Sequence, residues 1–457
     1  MLKPRADYVP GVVLCLIALV NVAVSSSDGH ESWSAQGATE TTSSGAPATP
    51  TYYRDVLPIL RQHCVICHRA NGIAPMSFES YEDARRYSKI IRRVAQDKTM
   101  PPPFAIPLAG RVSNDPSLSS DEFSTLAAWA DRNAPAGDQH DAPPARPAAA
   151  PWSIPKPDFI LKMSRAIAIP SSGDIEYTYE IVHTGFTEGR WVQMAEVLPS
   201  LPAKVRQAIV FIRRPGSRWL RHAPPGKPFT TATLADDKDR SWADDDILMV
   251  YVPGSPVDEW PAGTAKFIPP GADLIFCMQY ITNGTEGADQ SSVGLIFSKQ
   301  RPPRRVVTLA LANDRFTIPP EAPDYRVEAH GVLGKDAMLL SLFPKMHLRG
   351  KRFEYDVIPT GKTSGNEPEP QMEILLRVNY DLRWQTNYPL AEPRLLKAGT
   401  NLRAVGWYDN SASNPHNPDP KASVGSGGQA RDEVLLGFFE VSVPASLGKH
   451  SDLIRQR

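Results

Sequence analysis

Beyond residue 200 the chain breaks again and again into short apolar runs closed by Gly, Pro, Asn or Asp, and this punctuation constrains the fold more than any other feature. The runs are Ala208–Ile212, Ala272–Ile281, Arg305–Ala312, Phe353–Ile358, Gln371–Val378, Asn401–Tyr408 and Val434–Val443. Runs of this length between turn formers predict antiparallel sandwiches rather than βαβ units. Proline, 45 of 457 residues, excludes long uninterrupted helices over most of the chain. About 290 residues of this pattern suffice for two sandwiches of roughly 150 residues each. They are expected over 159–312 and 313–445, with 446–457 left as a tail.

Lys+Arg 50 and Asp+Glu 50 cancel to a formal net charge of zero, which argues against a basic nucleic-acid binder or an acidic tail protein. Four cysteines, Cys15, Cys64, Cys67 and Cys277, are too few for a disulfide framework. At the N-terminus Lys3 and Arg5 precede the apolar stretch Gly11–Val24, and small residues at Ala23 and Ser25 offer a cleavage site after Ser25. This is the pattern of a secretory signal peptide over 1–25. The stretch is too short to span a bilayer comfortably, and Cys15 follows Leu14 rather than a small residue, which disfavours a lipoprotein anchor. Residues 26–50, rich in Ser, Thr, Gly, Ala and Pro, read as a flexible lead. The mature chain is therefore expected to be exported, periplasmic or secreted, with no integral membrane span.

Cys64, Val65, Ile66, Cys67 and His68 spell C-x-x-C-H, the attachment pattern for covalent haem c. Two thiols on one helical turn reach the two vinyl groups of a porphyrin, and the following His offers its imidazole to the iron. A zinc or redox pair is the competing reading of the two cysteines. The surroundings read as short helices: Asp55 capping a helix through Val56, Ile59, Leu60 and Cys64; Ala84, Tyr87, Ile91 and Val94 at helical spacing; and a Ser119/Glu122 capping box before Phe123, Leu126, Ala127 and Ala130. They outline a small all-α cytochrome c domain over 51–136, followed by a Pro/Ala-rich linker at 137–158. Met100 in KTMPPP is the candidate sixth iron ligand, held by Pro101–Pro103, with Met76 in APMSF as its competitor. A Met ligand raises the potential and favours electron transfer. Arg85, Arg86, Lys89, Arg92 and Arg93 make one helix basic, either to dock an acidic redox partner or simply as a solvated face.

DVLPILRQHCVICHRANGIAPMSFESYEDARR, the later MPP, GRWVQMAEV, YDLRWQTNY, DNSASNPHNPDP and PKMHLRGK together resemble a group of exported bacterial proteins, over roughly residues 52–445. These join a cytochrome c domain to a module similar to the copper type II, ascorbate-dependent monooxygenases, the class of peptidylglycine alpha-hydroxylating and dopamine beta-monooxygenases. The resemblance implies two jelly-roll domains with one copper each. A His-His pair plus a third His holds the first metal, and His-x-His plus a Met holds the second.

The ligand positions depart from that pattern. The His-His pair reads Arg206-Gln207, the third His reads Gln279, the first His of His-x-His reads Lys345, and the Met reads Val434. Only His347 remains as a residual copper-type position, and a histidine standing alone is more often a hydrogen-bonded core residue than a metal ligand. Arg206 has no lone pair to give, a buried neutral Lys is costly, and a Gln carbonyl suits Cu(I) poorly. Arg206 and Lys345 either replace the charge of lost coppers or mark pockets that drifted. Cys277 and Gln279 share one face of their strand, and a Cys277/His347 site would need the two sandwiches to meet there; the leading reading of Cys277 is a buried apolar residue.

The leading expectation is a c-type cytochrome acting in electron transfer or as an accessory subunit. Its partner would be a redox protein, a copper-competent homologous subunit being one candidate. An oxygenase retaining one metal at His347, and a binding platform for a copper-competent relative, are the alternatives.

Overall fold

Strands dominate because the apolar runs are short and end at turn formers. The computed structural model describes residues 49–102, 112–144, 151–230, 246–255, 257–358, 372–429, 431–447 and 453–456. The signal-peptide reading, Cys15, most of the 26–50 lead, Pro103 and Gln371 therefore lie outside the described residues. All described residues belong to one compact unit.

The strand Asn401–Tyr408 has the limits its apolar run predicts, and Val205–Arg213, Asp273–Tyr280, Arg304–Asn313, Gly350–Ile358, Glu373–Asn379 and Leu435–Pro444 each contain or nearly match theirs. In the first half a five-stranded sheet runs Phe229–Thr230, Thr178–His183, Asp273–Tyr280, Val205–Arg213, Asp246–Tyr251. One of its faces packs Ala208, Val210, Leu274, Phe276 and Met278 onto Val192, Ala195, Val293 and Leu295 of a second sheet. That second sheet is nine-stranded and belongs to both halves. Its first-half strands pass through Thr264–Ile268 to Arg304–Asn313, Leu435–Pro444 and Ala337–Lys345.

The link is a short parallel pairing, Arg304–Val306 beside Thr264–Lys266, whereas Arg304–Asn313 pairs along its whole length with Leu435–Pro444. Thus the strand that ends at the expected 312/313 boundary pairs mainly with the second half. Lys266, fully buried, ties the junction, with its ammonium 3.0 Å from Glu440 and 2.8 Å from the Thr308 hydroxyl. Burial opposes its charge, but Asp246 and Glu440 outweigh that and raise its pKa.

The second half closes with its own five-stranded sheet, Glu373–Asn379, Gly350–Ile358, Asn401–Tyr408, Tyr325–Leu333 and Ile454–Gln456. Residues 446–457, expected as a tail, thus supply an edge strand, and the adjoining Leu453 is fully buried in that core. The other face of the first half's five-stranded sheet carries Ile181, Ile209, Ile275 and Cys277, and it packs on Phe343 and Phe438 of the second half. Burial on both faces explains why Val205–Arg213 reads as a continuous apolar run rather than an alternating one.

Three α-helices precede the sheets among the described residues: Leu57–His63, Tyr81–Gln96 and Ser120–Asp131. None of the described helices is long and apolar enough to cross a membrane. The capping box forms as expected at Ser119/Glu122, and Leu126 and Trp129 are buried. Asp55 does not cap a helix start. Helical turns begin earlier, at Tyr52, and the Asp55 carboxylate reaches back to accept the Thr51 N–H at 2.6 Å, because free N–H groups face out of a first turn. His63 fastens the first helix to the third, with Nε2 2.9 Å from Glu122 and Nδ1 3.0 Å from the Pro116 carbonyl.

Candidate functional site

The Cys64–His68 segment follows the helix Leu57–His63 and keeps helical bonding for one more turn: His68 N–H donates to the Cys64 carbonyl at 2.8 Å. The chain then doubles back tightly. A Cβ at Gly72 would lie 2.3 Å from the Cys67 carbonyl oxygen, so only glycine fits there. This return brings the Met76 carbonyl 3.1 Å from His68 Nδ1 and stacks Phe78 on the imidazole, with ring centroids 4.5 Å apart. A carbonyl cannot donate, so Nδ1 carries the proton and Nε2 is the lone-pair nitrogen. Burial also lowers the His68 pKa and favours the neutral ring.

The thiols are free, and burial pushes Cys64 up to about 12 and Cys67 up to about 11. Redox dithiols and thiolate nucleophiles need the opposite shift. Ile66 within this segment and Met100 further along the chain are exposed apolar side chains, 45% and 41% accessible. Of the basic residues on Tyr81–Gln96, Arg85, Arg86, Lys89 and Arg93 are exposed, while Arg92 pairs with Asp131 at 3.1 Å.

Cys67 also touches the β region. Its sulfur lies 3.6 Å from the Pro253 carbonyl, and Gly254 sits where a Cβ would meet Cys67 Sγ at 3.2 Å and Trp384 Cη2 at 3.4 Å. Gly254 has φ +85°, so the close approach and the backbone both call for glycine. A first-half loop thus abuts the C-x-x-C-H turn, and its Gly254 also lies close to Trp384 of the second half.

One residue beyond Trp384 lies a buried polar cluster in the seam between the halves. The Lys345 ammonium donates to Gln385 Oε1 at 2.5 Å, to the Tyr177 hydroxyl at 2.9 Å and to Gln207 Oε1 at 3.0 Å. Gln207 Nε2 returns a bond to the Gln385 carbonyl at 2.7 Å, and Gln385 Nε2 lies 3.4 Å from Gln279 Oε1. Lys345 also stands 4.6 Å from the centre of the Tyr177 ring. Burial lowers its pKa to about 8, against the pull of Cys277 and Glu433. Arg206 sits at a strand irregularity beside Gln207, near Tyr177, Asp381 and Arg383, and burial lowers its pKa.

His347 is buried two residues on. Its Nδ1 lies 3.0 Å from the Asp432 carbonyl, its N–H donates to Glu433 at 3.0 Å, and its ring is 5.4 Å from that of Tyr177. Burial, then the nearby Lys345 charge, pushes its pKa down to about 3. Val434 offers only its carbonyl, which accepts the Tyr408 hydroxyl at 2.7 Å. The structure therefore brings Gln207, Gln279, Lys345 and His347 to one seam, with Cys277 beside Lys345. Among the described residues, no three His, Cys, Asp or Glu side chains converge as a metal site. Tyr177, Gln385 and Trp384 are the partners that residue spacing does not reveal. Gln385 and Trp384 lie within the YDLRWQTNY run, which is their one signal in the sequence.

Comparison with protein-family models and with curated proteins finds no match. Among solved structures, the infectious bursal disease virus VP2 subviral particle aligns over 68% of this chain and 77% of that chain, at 10% identity and TM-score 0.19. PNGF-II aligns over 64% of this chain and 62% of that chain, at 10% identity and TM-score 0.21. Likeness at this level carries no argument about fold or activity.

Proposed function

We propose that this chain is an exported c-type cytochrome whose β region is a copper type II monooxygenase-like scaffold without working copper sites. It acts in electron transfer or as the accessory subunit of a redox partner. On this reading residues 51–136 are the cytochrome c domain, and the two halves of the β region descend from the two jelly-roll domains of the copper enzymes.

The residues present fit haem c. Cys64 and Cys67 would carry the thioethers, and His68 would ligate through Nε2, its Nδ1–H held by the Met76 carbonyl as backbone carbonyls hold other metal-binding imidazoles. When bound, the group supplies a one-electron couple tuned by its axial ligands. Met76 is a poor sixth ligand, because its carbonyl sits behind the His68 ring and its side chain packs against the helical core. Met100 is exposed and free of that packing.

The observation that carries the reading is the Lys345 ammonium, bonded by Gln207, Gln385 and Tyr177 among the expected ligand positions. A fixed cation there opposes a second one, more strongly in a buried setting than in water. Metal analysis of the haem-loaded mature protein tests it. Substoichiometric copper and no ascorbate-dependent oxygen uptake coupled to hydroxylation are expected. Stoichiometric copper, with turnover lost in His347→Ala, would replace this reading with that of an oxygenase.

A further inference from the structure

At the edge of the Lys345 seam the strand Val205–Arg213 carries one residue more than its partner. The strand Asp273–Tyr280 sets Gln279 opposite Gln207 and then Tyr280 opposite Val205, so Arg206 is the extra residue of a β-bulge. A bulge re-aims a side chain out of the strict alternation of its strand. Gln207 faces the seam through its bonds to Lys345 and Gln385. Arg206 is turned toward the same side, where Arg383, Asp381 and Tyr177 act on its charge.

The polar groups here have spent their acceptors and kept donors. Asp381 Oδ1 accepts the Arg383 N–H at 2.8 Å and Arg383 Nε at 3.1 Å, and Oδ2 accepts Arg383 Nη2 at 2.8 Å, so the one carboxylate beside Arg206 is committed elsewhere. Gln279 Oε1 lies 3.4 Å from Gln385 Nε2, and the Oε1 atoms of Gln207 and Gln385 serve Lys345. What remains is the Arg206 guanidinium and the Gln279 Nε2 group, neither with a hydrogen-bond partner among the described residues. Both side chains are half-buried and their nitrogen atoms keep contact with solvent, so an occupant can reach them. The charges also fail to balance. Arg383 repels Arg206 more strongly than Asp381 attracts it, and Lys345 adds a third cation behind Gln207.

We propose that this edge of the seam binds a monocarboxylate, whose two oxygens take the Arg206 fork side by side while one of them also accepts from Gln279 Nε2. A guanidinium presents paired N–H groups in the geometry of a planar carboxylate, and such charge-assisted pairs are the strong ones. Asp381 close by repels a second negative charge on the ligand, which disfavours a phosphate dianion. The site is built from the β region alone and does not depend on the haem reading.

Calorimetric titration of the full mature chain with acetate, its neutral isostere acetamide and inorganic phosphate, at matched ionic strength, tests it. Saturable binding of acetate at a single site, none of acetamide and clearly weaker binding of phosphate are expected. Arg206→Met should weaken acetate binding by about tenfold or more, since it removes a charged donor pair. Arg206→Lys keeps the charge but loses the fork and should weaken it by about threefold or more. Both variants are checked for native circular dichroism. Should Arg206→Met fail to fold, Arg206→Lys decides alone. Absence of acetate binding, acetamide or phosphate binding as well as acetate, or parental affinity in a folded variant overturns the proposal.

Discussion

The Lys345 ammonium lies 3.0 Å from the Gln207 side-chain oxygen, across the seam between the two β halves. Neither residue could be buried comfortably alone. The cation needs acceptors, and the amide oxygen needs a donor once water is gone. The pair therefore makes the two halves depend on each other at a place where apolar packing from Phe343 and Phe438 has ended.

Lys345→Met tests this dependence. The change keeps the length of the side chain but orphans Gln207 Oε1 and Gln385 Oε1, at about 1–3 kcal/mol each, while removing the cost of burying a charge. A net loss on the order of 1–3 kcal/mol is expected, read as a lower denaturant midpoint with an unchanged slope. A variant as stable as the parent would mean that the ammonium contributes nothing to the seam.

This adjacency was illegible in the sequence because the two residues are 138 positions apart and neither spacing nor periodicity links them. The parity of Cys277 and Gln279 was legible, since alternation along one strand needs no knowledge of its neighbours. Local signals fared similarly well: the Ser119/Glu122 box and the Asn401–Tyr408 run are read from a few consecutive residues. The nine-stranded sheet was not, because a parallel pairing of Arg304–Val306 with Thr264–Lys266 leaves no trace in either run. Asp55 misled for a physical reason: a carboxylate at a helix start can serve the free N–H groups from outside the turn or from within it.

Covalent attachment at Cys64 and Cys67 makes a prediction independent of the fold. Protein matured by a c-type assembly system should keep its colour through denaturation and acid-acetone extraction, and the Cys64→Ala/Cys67→Ala double variant should release any haem it holds. Freely extractable haem from the parent protein would sink the assignment and reopen the reading of the cysteines as a metal pair.

The sixth ligand separates Met100 from Met76. Met100→Ala should abolish a sulfur-to-ferric-iron charge-transfer band and lower the midpoint potential, because a thioether favours ferrous iron. Met76→Ala should keep the band, since it is the Met76 backbone carbonyl, not its sulfur, that contacts His68. The reverse pattern would move the ligand to Met76.

His347 makes the acid limb of stability measurable. Its pKa is pushed from the ordinary 6.5 to about 3 by burial and then by Lys345, so the folded chain keeps it neutral while the unfolded chain protonates it. Below pH 6.5 the unfolded state binds more protons, and this contribution to stability is lost as the pH falls from 6.5 toward 3, by up to about 1.4 kcal/mol per pH unit. His347→Gln retains an N–H donor for the Asp432 carbonyl but cannot titrate. The variant should therefore show a shallower fall of the unfolding midpoint between pH 6.5 and pH 4.5 than the parent. An unchanged slope would show that His347 is not held neutral by its surroundings. It would also weaken the view of this residue as a core histidine bonded to backbone carbonyls.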